Sequence, residues 1–148
     1  MGHRILPAET ASWRPSKLLG VENCDLAGQL ATPGLAARLW RVRPGQANTR
    51  HRHRTQTEVY VLLEGRGRMR VDDELLTLTP ASAVAVDPET VRQVFNDTAE
   101  DQLWLIFGTP AEPAPTEDDM AYMYPDGPMA RPPELAREAP AGPPQGTH

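Results

Sequence analysis

Two histidines and a glutamate near the middle of the chain have residue types and a spacing that can do chemistry. They lie in the stretch RHRHRTQTEVYVLLEG, residues 50–65. Side chains alternate between the two faces of a β-strand, so His51 and His53 share one face and the intervening arginines take the other. Glu58 begins the next apolar run and can bring a carboxylate to the same point. Such a set suits Fe(II), Mn, Ni, Co or Zn and leaves coordination positions open.

Short apolar runs separated by turn signals surround these residues and predict an all-β domain. The runs are LAARLWRV, EVYVLLEG, GRGRMRVDDELLTL, ASAVAV, RQVFN and QLWLIFG, which span residues 35–108. The third run reads as a hairpin that turns at Asp72 and Asp73. No stretch shows the sustained i, i+3, i+4, i+7 spacing of an amphipathic helix. Many short, closely spaced strands are typical of a sandwich or a barrel.

Two less regular segments flank this region. Residues 1–34 are interrupted by prolines and glycines and predict an extended arm with one or two short strands. Residues 109–148 are rich in proline, which is unsuited to regular helix or sheet. We expect this tail to be ordered to about Pro133, with YMYPDGPM against the core, and to fray beyond that point.

The middle region resembles the cupin superfamily. The first cupin motif is a glycine, five residues, His-x-His, three or four residues, a glutamate, six residues and a second glycine. Gly45, His51, His53, Glu58 and Gly65 fill every fixed position with the correct gaps. The resemblance covers residues 35–108 and implies a double-stranded β-helix, or jelly-roll, barrel in which the two histidines and Glu58 are metal ligands.

The second cupin motif is matched more loosely, by ASAVAVDPETVRQVFN at residues 81–96. Ala81 and Glu89 stand where the family pattern has glycines, and Asn96 matches its asparagine. Arg92 stands where the pattern has a third histidine. Because arginine stays protonated and offers no lone pair, Arg92 is not a metal ligand.

Three arrangements of Arg92 are open. In the first, a metal binds through the other three residues, and Arg92 beside it binds an anionic group of the substrate. In the second, Arg92 pairs with Glu58 and replaces the metal. In the third, Arg92 points outward, and water or a residue such as Gln93 or Asn96 fills the remaining position.

The resemblance implies a small mononuclear metalloenzyme acting on a small organic molecule, with dioxygenase, isomerase or cyclase chemistry as the candidate classes. Glu58 is also the candidate general base if it is not a ligand. Arg92 and Tyr60 are the candidate substrate-binding residues, since Tyr60 follows Glu58 by two positions and shares its face. Small cupins often form dimers, so a homodimer is also implied. The alternative is a non-catalytic, metal-free binding or sensor barrel in which Arg92 holds an anion.

Composition limits the partners. The chain has 148 residues and a formal net charge of -5, which argues against nucleic-acid binding. Six arginines on two alternating runs can still form an outward basic stripe on a solvated face: Arg50, Arg52, Arg54, Arg66, Arg68 and Arg70. The lone Cys24 excludes an intrachain disulfide. With no bilayer-length apolar run and no export signal, we predict a cytoplasmic protein.

Overall fold

The computed structural model describes residues 2–136, and most of its regular structure is β-strand. The strands are β1 (Arg14–Pro15), β2 (Glu22–Asp25), β3 (Ala36–Val42), β4 (Thr57–Glu64), β5 (Gly67–Val71), β6 (Glu74–Leu78), β7 (Ala83–Val86), β8 (Arg92–Phe95) and β9 (Gln102–Thr109). The helices are short: α1 (Leu26–Gln29), α2 (Glu117–Met123) and α3 (Pro133–Ala136).

The strands form two antiparallel sheets. The larger has the order β1-β2-β3-β9-β4-β7, and the smaller has the order β6-β5-β8. Tyr60, Leu62 and Trp104 of the larger sheet share one buried cluster with Met69 and Val94 of the smaller sheet. The sheets therefore pack face to face around a common core. The all-β jelly-roll prediction is confirmed.

Strand β9 shows why the sequence folds this way. Its residues alternate between buried and half-buried positions from Gln102 to Gly108, as the two faces of a strand require. Trp104 is fully buried, and its indole N–H donates to Oε1 of Gln102 at 2.9 Å, which satisfies the one polar atom of the ring. Truncation of a buried tryptophan costs about 3 to 5 kcal/mol, so Trp104 is a major anchor of the core.

The turns of the two cupin motifs have left-handed backbone. At Gly65 φ is +86°, and a Cβ there would lie 2.2 Å from the carbonyl oxygen of Asp101, so this turn accepts only glycine. Ala81 and Glu89 keep the same kind of backbone, with φ of 73° and 71°, although neither is glycine. The turn geometry of the second motif therefore survives its sequence changes.

Both arms contain regular structure. The N-terminal arm supplies β1 and β2, and β2 pairs with β3, so the arm extends the larger sheet. The expectation that the proline-rich tail forms no helix is wrong at α2. There the side chain of Thr116 accepts from the N–H of Asp119, and the Asp119 carboxylate accepts from the N–H of Thr116. This capping box starts the helix between prolines that lie outside it.

The predicted fraying of the tail beyond Pro133 concerns residues that lie largely outside the described part of the chain. None of the helices in residues 2–136 is long and apolar enough to cross a membrane.

Candidate metal centre

The segment that carries the histidines is held in place by β8. The N–H of His51 donates to the carbonyl of Arg92 at 2.9 Å, and the N–H of Arg92 donates back to the carbonyl of His51 at 2.8 Å. A second bridge joins Ala47 to Phe95. The histidine segment thus runs along the edge of the smaller sheet before the chain enters β4. The site lies where the two sheets meet.

The structure brings His51, His53 and Glu58 together. Oε1 of Glu58 lies 3.5 Å from Nε2 of His51 and 3.2 Å from Nε2 of His53. One potential ligand atom from each residue lies within 4.8 Å of the others. The three side chains are between 12% and 17% exposed. Two imidazole nitrogens and a carboxylate oxygen therefore converge at one partly buried point.

Hydrogen bonds behind the histidines orient their rings. Nδ1 of His51 donates to the carbonyl of Thr49 at 3.0 Å, and Nδ1 of His53 donates to Oε1 of Glu112 at 2.7 Å. With the protons on Nδ1, each Nε2 carries a lone pair directed at the site. Nε2 of His53 is buried and has no hydrogen-bond partner. A divalent ion would satisfy that atom, so these residues fit a metal.

Four polar atoms lie within 3.6 Å of one oxygen of Glu58. Besides the two histidines, the Tyr60 hydroxyl donates to Oε1 at 2.8 Å, and Nε of Arg92 lies 3.6 Å from it. Burial alone would raise the pKa of Glu58, but the proximity and charge of His51 and His53 outweigh it and hold that pKa well below its usual value. A carboxylate that stays ionised beside two imidazole nitrogens can serve as a metal ligand, and the role of Glu58 as a general base stays a prediction.

The pKa of His53 shifts in the opposite direction. Burial lowers it, but hydrogen bonds and charge attraction from Glu58 and Glu112 outweigh that effect and raise the pKa above its usual value. The charge of Arg92 opposes this rise. The two carboxylates therefore favour a positive charge at this point, whether it is a proton or a metal ion.

Arg92 points into the barrel, so the arrangement in which it points outward is wrong. Its side chain is 0% exposed. One terminal nitrogen donates to the carbonyl of Thr90 at 3.0 Å, and the other lies 3.3 Å from the carbonyl of Val86 and 3.4 Å from that of Asp87. With both terminal nitrogens engaged, Arg92 has no pair of free donors for an anion. Arg92 is thus a buried cation beside Glu58, and its substrate-binding role stays a prediction.

The other two residues considered as ligands have structural roles. The amide of Gln93 donates to the carbonyls of Asn48 and Ala130, and the amide of Asn96 donates to those of Val42 and Glu100. Asn96 therefore ties β8 to the neighbouring turn.

A cavity of about 490 Å³ opens onto the three converging residues. Tyr60 lines it next to Glu58, as its position in the strand predicted, and its substrate-binding role stays a prediction. Both arms complete the wall: Ser16, Lys17, Leu18 and Leu19 come from the N-terminal arm, and Pro115, Met123 and Tyr124 come from the tail. The arms are thus part of the candidate site.

The arginines of residues 50–54 point away from the site, and they bind the tail instead of forming a free basic stripe. We call residues 109–136 the C-terminal strap. Arg50 forms an ion pair with Asp126 of the strap, and Nε of Arg54 lies 3.2 Å from Asp119. The guanidinium groups of Arg52 and Arg54 each lie 4.0 Å from the centre of the Tyr122 ring. The alternating stretch therefore has one face for the site and one for the strap.

Two functional residues escaped the sequence reasoning. Glu112, which orients His53, also accepts from the N–H and the hydroxyl of Thr55, both at 2.9 Å. It stands between prolines in a segment with no periodic pattern, so no local signal identifies it. Lys17 lines the cavity from an arm whose path the sequence does not predict. Its rarity was the available signal, because it is the only lysine in the chain.

Comparison with known proteins now identifies the class. Residues 38–108 match the family model of the cupin domain. The jelly-roll fold, the complete first motif and this match agree, and residues 38–108 form a cupin domain. A search of curated protein sequences finds no match to the chain.

Solved structures with the same fold include several cupins. A sugar phosphate isomerase of the cupin superfamily from Silicibacter pomeroyi has a TM-score of 0.66 and 21% identity, over 73% of this chain and 76% of that one. KdgF from a Halomonas species has a TM-score of 0.64 and 18% identity, over 74% and 96%. A predicted oxalate decarboxylase from Thermotoga maritima has a TM-score of 0.65 and 14% identity, over 73% and 100%. At these identities the likeness is one of fold.

Proposed function

We propose that this protein is a small metal-dependent enzyme that binds one divalent transition ion through His51, His53 and Glu58. The observation that carries the proposal is Nε2 of His53, which is buried, has no hydrogen-bond partner and faces the Glu58 carboxylate. A buried polar atom without a partner is costly unless something satisfies it. Fe, Mn, Ni, Co and Zn all suit this donor set.

Three protein ligands leave coordination positions open toward the adjoining cavity, where a small organic molecule can bind. The ion would supply Lewis-acid or redox chemistry there, which covers the dioxygenase, isomerase and cyclase classes. The protein residues then have distinct tasks. Thr49 and Glu112 fix the histidine rings, and Tyr60 and Arg92 hold the Glu58 carboxylate in its charged form. The arms restrict access of water to the cavity.

A second candidate function is a metal-free barrel that binds a ligand without transforming it. The observation in its favour is Arg92, whose Nε lies 3.6 Å from the same Glu58 oxygen that faces the histidines. A fixed cation there neutralises Glu58 and repels a divalent ion. We favour the enzyme because Nε of Arg92 approaches Glu58 without a hydrogen bond and leaves Nε2 of His53 without a partner.

Cobalt substitution tests the proposal directly. Untagged protein freed of metal by chelation is titrated with Co(II), and its visible absorption is recorded before and after addition of azide. We expect saturation close to one Co(II) per chain and a change of the spectrum with azide, because an open position accepts the added anion. His53→Ala is the variant that should lose the cobalt spectrum. Bands that fail to appear, or that persist unchanged in His53→Ala, would sink the enzyme model and favour the metal-free barrel.

A further inference from the structure

Cations line the opening of the cavity, and some of them have no acidic partner among the described residues. Lys17 lines the cavity from the N-terminal arm, and Arg38 of β3 lines it from the sheet. Most arginines in residues 2–136 pair with a carboxylate, yet Lys17 and Arg14 make neither an ion pair nor a side-chain hydrogen bond there. Both are exposed. Lys17 and Arg14 are therefore available to bind an anion at this opening.

A second, adjoining cavity extends this basic region. It has a volume of about 580 Å³, shares Ser16, Lys17, Arg38 and Trp40 with the metal-site cavity, and adds Arg14. Its one acidic lining residue is Asp25, which lies 3.4 Å from Arg38 and accordingly offsets that arginine. Lys17 and Arg14 leave the combined opening with a net positive charge. A positive opening attracts anions to the cavity.

The wall between this mouth and the metal ligands is largely apolar. The larger apolar lining residues are Leu18, Leu19, Trp40, Val94, Ile106 and Met123. Small-molecule sites commonly pair such a wall with a few polar groups that fix the orientation of the ligand. The mouth therefore fits a molecule with an anionic group at one end and an apolar body.

We propose that the mouth formed by Lys17, Arg14 and Arg38 is an oxyanion-binding subsite and that the ligand is an organic carboxylate or phosphate monoester. Its anionic group binds Lys17, and its body lies along Trp40 toward His51 and His53. Arg92 does not bind the anionic group, because its terminal nitrogens already donate to carbonyls. That this ligand is the substrate rests on the proposed function, whereas the anion site rests on the mouth alone.

Ligand binding by the full, untagged chain tests the subsite. Phenylacetate, phenyl phosphate and neutral phenylacetamide are titrated by NMR into metal-free protein and into Co(II)-loaded protein. We expect at least one anion to bind about tenfold or more tightly than phenylacetamide, because a charged partner is available only to the anions. The better anion identifies the group that the mouth prefers. The double variant Lys17→Gln, Arg14→Gln should lose most of this preference.

Arg43→Gln is the matched control, because Arg43 is exposed, pairs with Glu22 and lines neither cavity. The subsite proposal is overturned if no anion binds, if phenylacetamide binds equally well, or if the double variant behaves like Arg43→Gln. Anion binding that depends on Lys17 in a protein that takes up no cobalt would uphold the subsite and refute the metalloenzyme. Cobalt uptake by a protein that shows no preference for the anions would refute the subsite and support the metalloenzyme.

Discussion

The two faces of residues 50–54 make opposite kinds of contact. On the inner face, His51 and His53 approach one carboxylate oxygen of Glu58, and these side chains are nearly buried. On the outer face, Arg50 and Arg54 bind acids of the strap that are 62% and 35% exposed. Exposed ion pairs contribute up to about 1 kcal/mol, whereas the removal of one partner from a buried pair costs several times more. Residues 50–54 thus contribute site residues on their inner face and bind the strap through exposed ion pairs on their outer face.

Glu112 connects the two faces. It belongs to the strap, yet its carboxylate accepts the Nδ1 proton of His53 on the inner face. The strap also brings Met123 and Tyr124 to the cavity wall. The position of the strap and the geometry of the histidines are therefore linked through one carboxylate.

Substitution of Arg92 tests how much the inner face contributes to stability. In metal-free Arg92→Met protein, the buried Glu58 carboxylate has lost the cation beside it, and we expect the free energy of unfolding to fall by about 3 kcal/mol or more. Denaturant titration with a chelator present measures this change. Arg41→Met is the control, because Arg41 lies on β3 and its ion pairs with Glu64 and Asp101 are partly exposed. If the free energy of unfolding falls by about the same small amount in both variants, the buried pair of Arg92 and Glu58 contributes no more to stability than an exposed pair.

Removal of the link between the faces should affect metal more than folding. Glu112→Gln keeps the shape of the side chain but weakens its hold on the Nδ1 proton of His53. We expect the affinity for Co(II) to fall about 10-fold to 100-fold, the usual range for the loss of a carboxylate behind a metal-bound histidine. Competition with a chromophoric chelator measures the affinity. Glu117→Gln, in the exposed first turn of α2, should leave it unchanged. An unaltered affinity in Glu112→Gln would contradict a coupling of strap and site.

The outer face should give the smallest effect. Tyr122→Leu removes the ring that the guanidinium groups of Arg52 and Arg54 contact, and each such contact is worth about 0.5 to 1 kcal/mol at an exposed site. We expect faster amide hydrogen exchange in α2 and little change in the sheets. Tyr122→Phe keeps the ring and should behave like the unaltered protein. Equal exchange rates in Tyr122→Leu would show that the ring does not hold the strap.

The sequence predicts the convergence of His51, His53 and Glu58 because the information for it is local. His51, His53 and Glu58 lie within one stretch, and strand alternation determines which side chains share a face. The same rule identifies Tyr60. The capping box of Thr116 and Asp119 is also local, and the surrounding prolines led to the wrong expectation for α2.

The remaining parts of the site depend on contacts between distant segments. Glu112 reaches His53 across 59 residues, and Lys17 reaches the cavity from the other end of the chain. Neither segment has a periodic pattern that predicts its path. The setting of Arg92 depends on β7 and on the turn before β8, where carbonyls bind its terminal nitrogens. The sequence shows that Arg92 is not a metal ligand, because arginine has no lone pair to offer. Its contacts with backbone carbonyls are visible only in the structure.

The central claim is that His51, His53 and Glu58 hold a metal ion although Arg92 stands beside them. The most direct measurement is the transition-metal content of untagged protein from metal-replete cultures, compared with His53→Ala and with the surface variant Arg43→Gln. We predict close to one ion per chain in the unaltered protein and in Arg43→Gln, and almost none in His53→Ala, because that variant loses a ligand. An unaltered protein without stoichiometric metal, or a metal content that His53→Ala does not change, would contradict the account.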